Sequence, residues 1–308
     1  MEAEAGAKDI IAKRCMFSLC VLVLSLALLM SAGLLYRSRP ILAVISLKEL
    51  LFSFSWRPPS GEFGLGGFII GTFWVTAIAM IVAFPLSILT AIYLSEYSSP
   101  KLRLISEPII DLLAGISPVV YGVWGVIAVV PLVRNWIMPF FSRRFHFFPF
   151  VSDNFTGFRV LAAGIVLAIM VFPIIISLSR DALKAVPIEI REASLALGAT
   201  KWETIKFAVL RKAWPSIIAA VILGLSRALG ETMAVLMVAG CALGVIPKSI
   251  FDAGYPLSAL IANTYGEMMS IPLYDSAILM AAFMLLCVTI LFNALGWGVL
   301  LYIQAKES

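Results

Sequence analysis

The fold is decided by residues Arg191 to Gly240, which read REASLALGATKWETIKFAVLRKAWPSIIAAVILGLSRALGETMAVLMVAG. The stretch begins as a charged segment with a helical pattern, passes Pro215, and becomes a long apolar segment. That segment carries Arg227 and Glu231 near its middle, and charged side chains are costly at that depth of a membrane. The stretch therefore predicts a charged surface element joined directly to a membrane-spanning helix with a polar site.

The composition places the whole chain in a membrane. Of its 308 residues, 61% are hydrophobic and only 13% are charged, which is far from the composition of a soluble domain. Spans of about 20 apolar residues occupy most of the chain, so no separate catalytic domain fits. The net charge of +5 indicates topology rather than a nucleic-acid partner. We predict an all-α polytopic membrane protein.

Six apolar segments are long enough to cross a bilayer. Residues 1–14 are predicted to form a cytosolic tail, 15–36 a first span that is retained, 37–67 an external loop with an interfacial helix near 45–52, and 304–308 a C-terminal tail. The core, 68–303, holds the other five spans at about 68–94, 108–133, 159–179, 214–243 and 275–302. Basic residues number about thirteen on the predicted cytosolic side and about nine on the other. Both termini and the charged loop 181–213 are therefore expected in the cytosol.

The loop 181–213 has the pattern of a helical hairpin. Pro187 suits the first turn of a helix that runs to Leu197, and Gly198 can end that helix in a left-handed cap. Thr200 and Glu203 have the spacing of a capping box, which starts a second helix at once. Such a hairpin fits a groove on a soluble partner, or it is an amphipathic connector lying on the lipid.

Arg227 and Glu231 are the candidate intramembrane site. Arg227 lies about thirteen residues after Trp214, roughly 20 Å along a helix, and an arginine there costs about 2.5–3.5 kcal/mol to insert. Glu231 is four positions on, so on a continuous helix the two share a face. They form either a structural ion pair or an anion site, in which the guanidinium matches oxyanion geometry and the carboxylate allows release.

Other candidate sites are few. The run LLAGISPVVYGVWG, residues 112–125, has small residues at Ala114, Gly115, Ser117 and Gly122 that suit either close helix packing or a pathway lining. The four cysteines lack CxxC spacing, so we expect buried thiols rather than disulfides or a zinc site. The single histidine, His146, is expected at a membrane interface rather than as a ligand, and no metal site is predicted.

Glu192, Ala193 and Ser194, followed after three residues by Gly198, resemble the EAA loop of ABC importer permeases. The pattern departs from that family twice. Ser194 stands at the third position of the EAA pattern, where alanine is usual, and Leu210-Arg211 stands where Leu-Pro is usual. The resemblance implies that this loop contacts a cytosolic ATPase subunit.

Residues 224–235, GLSRALGETMAV, are similar to the PstC-type permeases of phosphate-specific ABC importers, and the likeness covers most of the chain from about Gly66 onward. It implies six transmembrane helices of type I importer architecture in a prokaryotic plasma (inner) membrane. It also implies a PstA-like second permease, a cytosolic ABC ATPase dimer and an extracytoplasmic phosphate-binding protein as partners, beside membrane lipid. The residues it implicates in phosphate passage are Arg227, Glu231, Ser226 and Thr232, and those in ATPase coupling are Glu192, Ala193, Ser194, Gly198, Ala199 and Thr200.

This chain is not expected to be an enzyme or to bind a cofactor. It has no G-x-x-x-x-G-K-[ST] run, so ATP-Mg would be used by a partner subunit. An intramembrane enzyme would need clustered ionisable groups, which the spans lack apart from Arg227 and Glu231. Two alternatives stay open, a permease for another oxyanion such as sulfate or molybdate and a regulatory membrane protein that does not transport.

Overall fold

The computed structural model describes residues 2–144, 157–244, 246–267 and 270–307. Within them, six helical segments are long and apolar enough to span a membrane: Ala12–Val44, Gly66–Tyr97, Pro118–Phe141, Val160–Lys184, Lys201–Gly230 and Tyr274–Tyr302. The predicted fold class, an all-α polytopic membrane protein with six spans, is confirmed.

The helices of the described residues, in chain order, are α1 Glu2–Val44, α2 Leu47–Phe52, α3 Gly66–Ile92, α4 Pro100–Gly115, α5 Pro118–Trp124, α6 Val130–Leu132, α7 Met138–Arg144, α8 Val160–Lys184, α9 Ile188–Ala196, α10 Lys201–Glu203, α11 Leu210–Gly230, α12 Met233–Val238, α13 Leu257–Thr264 and α14 Tyr274–Glu307. Wider π-helical turns at Tyr93–Tyr97, Gly125–Val129, Val133–Ile137 and Thr204–Val209 extend or join some of them. A short hairpin pairs β1 Trp56–Arg57 with β2 Glu62–Phe63, antiparallel.

The most buried helix is α8, which packs along α3 on one side and α11 on another. Two glycines allow the close approach. A Cβ on Gly164 would come within 2.5 Å of the Ile78 side chain of α3, and one on Gly224 of α11 would lie 2.7 Å from the Ile175 side chain. Small residues at such crossings are the usual means of helix packing in membranes. The core around α8 is therefore set by Gly, Ala and Val rather than by large side chains.

The two ends of the bundle differ. At one end, called the hairpin end, lie the C-terminal ends of α3 and α8 together with α9 and α10. At the other, called the far end, aromatic rings of Trp56, Phe63, Phe68 and Tyr274 meet edge to face or tilted. The buried Arg159, which precedes α8, donates a hydrogen bond to the carbonyl oxygen of Phe251 there. The far end is thus a folded cap rather than a set of loose loops.

The first helix is longer than predicted. It continues through Pro40 to Val44, whereas the sequence suggested a loop from residue 37. Ser38 and Ile41 are fully buried, so tertiary packing holds this extra length in helical form. A short helix does follow, α2, within the range 45–52 expected for one.

The third span also differs. The prediction of 108–133 is wrong because α4 runs through Pro108 and ends at Gly115, and the chain is extended at Ile116 and Ser117 before α5. Pro118 supplies the reason, since the residue before a proline is pushed out of the helical region while proline itself suits a first turn. The span is Pro118–Phe141. Tyr121 donates a hydrogen bond to the carbonyl oxygen of Leu113 at 2.8 Å and so braces the break.

The cysteines are placed differently from the prediction of buried thiols. Cys15, Cys20 and Cys287 are exposed on this chain rather than buried, because they lie on outer faces of the first and last helices, and Cys241 is half-buried. All four are free thiols.

Residues 134–144, the first part of the loop predicted between the spans 108–133 and 159–179, are helical. His146 lies outside the described residues, as does the rest of 145–156.

Candidate functional site

A compact hairpin, residues 188–203, connects α8 to α11. Gly198 has φ +85°, the left-handed conformation expected of it. Thr200 and Glu203 form both hydrogen bonds of the predicted capping box, from the Glu203 amide to the Thr200 hydroxyl at 3.3 Å and from the Thr200 amide to the Glu203 carboxylate at 2.8 Å. Pro187 is the residue just before α9 rather than part of its first turn, since its ψ of 143° is extended.

The outward face of the hairpin carries exposed apolar side chains. Leu197 at its tip is 90% exposed, and Leu195 and Trp202 are about half exposed. Of the predicted coupling residues, Glu192, Ala193, Gly198 and Thr200 are exposed, whereas Ser194 and Ala199 are half-buried. The Ser194 hydroxyl lies 3.0 Å from that of Thr204. An exposed apolar tip held by local hydrogen bonds is suited to insertion into a complementary groove.

The inward side of the hairpin is fixed by Arg191, to which the sequence analysis gave no role. Its guanidinium donates to the Glu96 carboxylate at 2.9 Å and to the carbonyl oxygens of Leu183 at 2.8 Å and Val186 at 2.6 Å. These carbonyls lie where α8 ends, and Glu96 lies in the π-helical turn that ends the α3 segment. The side chains of Arg191 and Glu96 are 17% and 10% exposed, so solvent screens their ion pair little.

A second charged cluster joins α4 to α8 at the same end. Glu107 accepts a hydrogen bond from Lys184 at 2.7 Å and forms an ion pair with Arg180 at 3.5 Å. The hydrogen bond from Lys184 is the main cause that lowers the pKa of Glu107, partial burial opposes it, and the charges of Arg180, Lys184 and Arg103 add to the lowering. Within the described residues, Glu107 forms no hydrogen bond or ion pair with the hairpin.

The helix that carries Arg227 is placed differently from the prediction of 214–243. The continuous segment begins at Lys201, because the π-helical turn Thr204–Val209 joins α10 to α11, and it ends at Gly230. Arg227 therefore lies in the last turn of its helix rather than near the middle of a longer one. The unbroken segment, at about 1.5 Å per residue, carries the chain roughly 40 Å from the hairpin to Arg227.

Arg227 is exposed on the isolated chain. It belongs to one outward-facing row on α11, the Arg227 stripe, formed by Ser216, Ala219, Leu223, Arg227 and Gly230. Within the described residues its guanidinium makes no hydrogen bond and no ion pair within 4 Å, although it is near enough to Tyr121 for its charge to act there. The predicted pairing of Arg227 with Glu231 is absent, because the helix ends between the two residues.

Glu231 lies at the break after α11, with extended backbone at φ −72° and ψ 130°. Its carbonyl oxygen accepts a hydrogen bond from the Ser258 hydroxyl at 2.9 Å. Leu257, the residue before Ser258, donates its amide to the Thr72 hydroxyl of α3 at 2.9 Å. Glu231 is thus attached to the far-end cap and, through it, to α3.

Ser226 and Thr232 do not join Arg227 in one cluster. The Ser226 hydroxyl contacts the carbonyl oxygen of Ile222 and the side-chain oxygen of Asn293 on α14, which ties α11 to the last helix. The Thr232 hydroxyl donates to the carbonyl oxygen of Gly230 at 3.2 Å and closes the turn between α11 and α12. Both hydroxyls shape the surroundings of the break.

The four small residues predicted in 112–125 lie in different surroundings. A Cβ on Gly122 would lie 2.6 Å from the Met237 sulfur and 3.2 Å from the Cα of Ala234, so this glycine allows α5 to pack closely on α12. Gly115 has nothing within 4 Å, and Ala114 and Ser117 are exposed. Packing explains Gly122 alone among the four.

Residues 83–297, which include the hairpin, Arg227 and Glu231, match a protein family described as "Binding-protein-dependent transport system inner membrane component". The chain belongs to this family. It is therefore a multi-pass membrane component of a transport system, and the predicted recognition of a binding-protein-dependent permease is confirmed.

Relatives of this transport component are similar over most of its length. It is 37% identical over 264 residues to the phosphate transport system permease protein PstC of Xylella fastidiosa, which covers 84% of this chain and 81% of that protein. It is 36% identical over 240 residues to the probable phosphate transport system permease protein PstC of Methanocaldococcus jannaschii, covering 78% and 76%. A probable ABC transporter permease protein of Bacillus subtilis, YqgH, is 36% identical over 225 residues, covering 72% and 68%.

Among solved structures, the transport component resembles a chain of the inward-facing MetNI methionine ABC transporter. The TM-score is 0.56 at 20% sequence identity, covering 76% of this chain and 94% of that one. At this identity the likeness shows the fold, and the predicted importer-permease architecture is confirmed.

Proposed function

We propose that this chain is one of two permease subunits of an ATP-driven importer that carries inorganic phosphate across a prokaryotic plasma membrane. The phosphate assignment is supported by the relatives described as phosphate permeases. The observation that carries the proposal is Arg227, an exposed guanidinium on an apolar helix without a hydrogen bond or ion pair in the described chain. A permanent cation in that state is available to an anion.

Physical cost argues that Arg227 does not face lipid. Leaving an arginine at membrane depth costs about 2.5–3.5 kcal/mol even on insertion scales, so such groups face protein or a water-filled path. The Arg227 stripe otherwise consists of Ser216, Ala219, Leu223 and Gly230, mostly small residues that allow another helix to approach. We assign this face to the boundary with a PstA-like second permease, where the pathway runs.

The surroundings of Arg227 favour passage over tight retention. The guanidinium fork matches phosphate oxygens in a bidentate manner. The last turn of a helix carries partial negative charge, and the Glu231 carboxylate follows it directly, so both weaken the hold on an anion. Thr232 and Ser226 hold the turn and the helix in place around the two charged residues.

The proposed partners are assigned to the two ends of the helix bundle. The apolar hairpin tip, with Glu192, Ala193, Ser194, Gly198, Ala199 and Thr200, is proposed to dock on one subunit of an ABC ATPase dimer. That contact puts the hairpin end and both termini in the cytosol. An extracytoplasmic phosphate-binding protein would deliver its ion at the far end. This subunit would bind no cofactor, and ATP-Mg would be used by the ATPase.

The proposed mechanism is alternating access. Closure of the ATPase dimer on ATP displaces the hairpin, and the unbroken segment Lys201–Gly230 carries that displacement to Arg227. The guanidinium then faces alternately toward the far end and toward the hairpin end. No step of ATP hydrolysis is assigned to residues of this chain.

The cargo is tested with the complete complex in proteoliposomes, with the binding protein outside and ATP inside. Uptake of labelled phosphate is measured alone and in excess unlabelled phosphate, sulfate or molybdate, and uptake of labelled sulfate and molybdate is measured separately. We expect unlabelled phosphate to suppress the signal and the other oxyanions to leave it unchanged. Equal suppression by sulfate or molybdate would assign the chain to another oxyanion, and no uptake of any oxyanion would favour a regulatory role.

A further inference from the structure

Arg191 connects three segments that are distant in sequence. It lies in the second turn of α9, and its guanidinium reaches three groups: the carbonyl oxygen of Leu183 in the last turn of α8, that of Val186 just after α8, and the Glu96 carboxylate that follows α3. The carbonyls at a helix C-terminus lack partners in the helix and carry partial negative charge, which favours a bound cation. Arg191 therefore attaches the hairpin to α3 and α8 together.

The strength of this attachment follows from burial. Both partners are shielded, at 17% and 10% side-chain exposure, and the guanidinium makes several charge-assisted hydrogen bonds. Removal of one member of a buried pair leaves the other without compensation, which makes the contact costly to break. The intact pair therefore resists movement of the hairpin independent of Glu96.

From Glu96, α3 extends to the far end and reaches Glu231. The Thr72 hydroxyl near the start of α3 accepts the Leu257 amide, and the next residue, Ser258, donates to the carbonyl oxygen of Glu231. The chain of contacts from Glu96 to Glu231 therefore runs through one helix and two hydrogen bonds.

Arg227 is reached by a different route. The segment Lys201–Gly230 joins the hairpin to Arg227 by continuous helix, and this helix ends immediately before Glu231. The two charged residues of the proposed pathway are thus reached from the hairpin through different elements, α11 for Arg227 and α3 with Leu257 and Ser258 for Glu231.

We propose that Arg191 and Glu96 are positioning residues that make the hairpin and α3 move as one body, so that a displacement of the hairpin reaches Glu231 as well as Arg227. The inference rests on the proposed function in one respect, because it requires an ATPase that displaces the hairpin. In this proposal, the Arg191–Glu96 ion pair makes the displacements of Arg227 and Glu231 occur together.

The test measures a distance within the assembled complex. The four native cysteines are replaced by alanine, and spin labels are attached at Glu189 in α9 and at Ile81, an exposed residue of α3. Distances are recorded without nucleotide and with ATP bound to a hydrolysis-deficient ATPase. With the ion pair intact the distance stays the same in both states, and in Glu96→Ala it shifts on ATP binding.

The second readout is phosphate transported per ATP hydrolysed, which we expect to fall in Glu96→Ala by roughly 2- to 30-fold, the range of coupling changes from residues that do not touch ligand. Glu107→Ala is the matched control, since it removes a carboxylate that pairs with Lys184 and Arg180 at the same end and forms no hydrogen bond or ion pair with the hairpin. Co-purification of the ATPase shows that each variant assembles.

Three results would overturn the proposal: a label distance that shifts on ATP binding with the pair intact, a Glu96→Ala distance that does not shift, or an equal shift in Glu107→Ala. The distances decide the inference without reference to the cargo. If they behave as expected while the unmodified complex takes up no phosphate, the cargo assignment fails and the link stands.

Discussion

The side-chain oxygens of Ser194 and Thr204 lie 3.0 Å apart and join α9 of the hairpin to the π-helical turn that follows it. Thr204 is buried at the start of the π-helical turn that leads into α11, and Ser194 is half-buried on α9. Ser194 is also the position at which the EAA pattern usually has alanine. The hydroxyl pair therefore adds a fixed contact between the proposed docking helix and the helix that carries Arg227.

Replacement of Ser194 tests this contact. Ser194→Ala removes a hydrogen bond worth about 1 kcal/mol, so amide exchange in residues 188–204 should accelerate by about fivefold. Hydrogen exchange on the assembled complex provides the measurement. Ser106→Ala, which removes a hydroxyl bonded only to its own helix on α4, should leave the hairpin unchanged. Unaltered exchange in Ser194→Ala would mean that the pair does not restrain the hairpin.

The Glu107 cluster predicts a pH dependence of stability. The pKa of the Glu107 carboxyl is lowered from its usual 4.5 in the folded protein, mainly by the hydrogen bond from Lys184. The stabilisation is therefore fully present above 4.5 and is lost as the pH falls through the lower folded value. Thermal unfolding in detergent, recorded from neutral pH downward, should show an acid loss that is smaller in Glu107→Gln. Identical acid profiles for the two proteins would contradict this role.

Gly240 predicts a strong sensitivity to a single methyl group. Its φ is +87°, and a Cβ there would lie 2.7 Å from the carbonyl oxygen of Phe158. Gly240→Ala should therefore destabilise the far end by about 1–3 kcal/mol through backbone strain, with a further clash. The matched control is Gly115→Ala, where nothing lies within 4 Å. The apparent melting temperature should fall for Gly240→Ala alone, and equal melting temperatures would refute the argument.

Local sequence signals predicted local structure well. The number of spans follows from runs of apolar residues, and the capping box at Thr200 and Glu203 needs only four neighbouring positions. The left-handed Gly198 was likewise expected from its place after a helical pattern. In each case the determining residues are adjacent in the chain.

The predictions that failed concern features of the structure that tertiary contacts determine. Hydropathy continues without interruption past Gly230, so a single span to residue 243 was predicted, whereas Ser258 holds the Glu231 carbonyl in an extended turn. The predicted Arg227–Glu231 pair depended on that continuous helix and failed with it. Arg191 and Glu96 are 95 positions apart, and nothing in the local pattern of either residue indicates the other.

The central claim is that the Arg227 guanidinium, which has no hydrogen bond or ion pair among the residues that the structure describes, contacts the transported anion. Its most direct test is labelled phosphate uptake by the full complex in proteoliposomes with Arg227→Gln, which keeps a polar side chain and removes the charge. Arg14→Gln, at an exposed arginine near the start of α1, is the control. We predict a loss of about 10- to 100-fold in uptake for Arg227→Gln, as expected for one charged hydrogen bond, and none for the control. Undiminished uptake in Arg227→Gln, at equal assembly with the ATPase, would contradict the account.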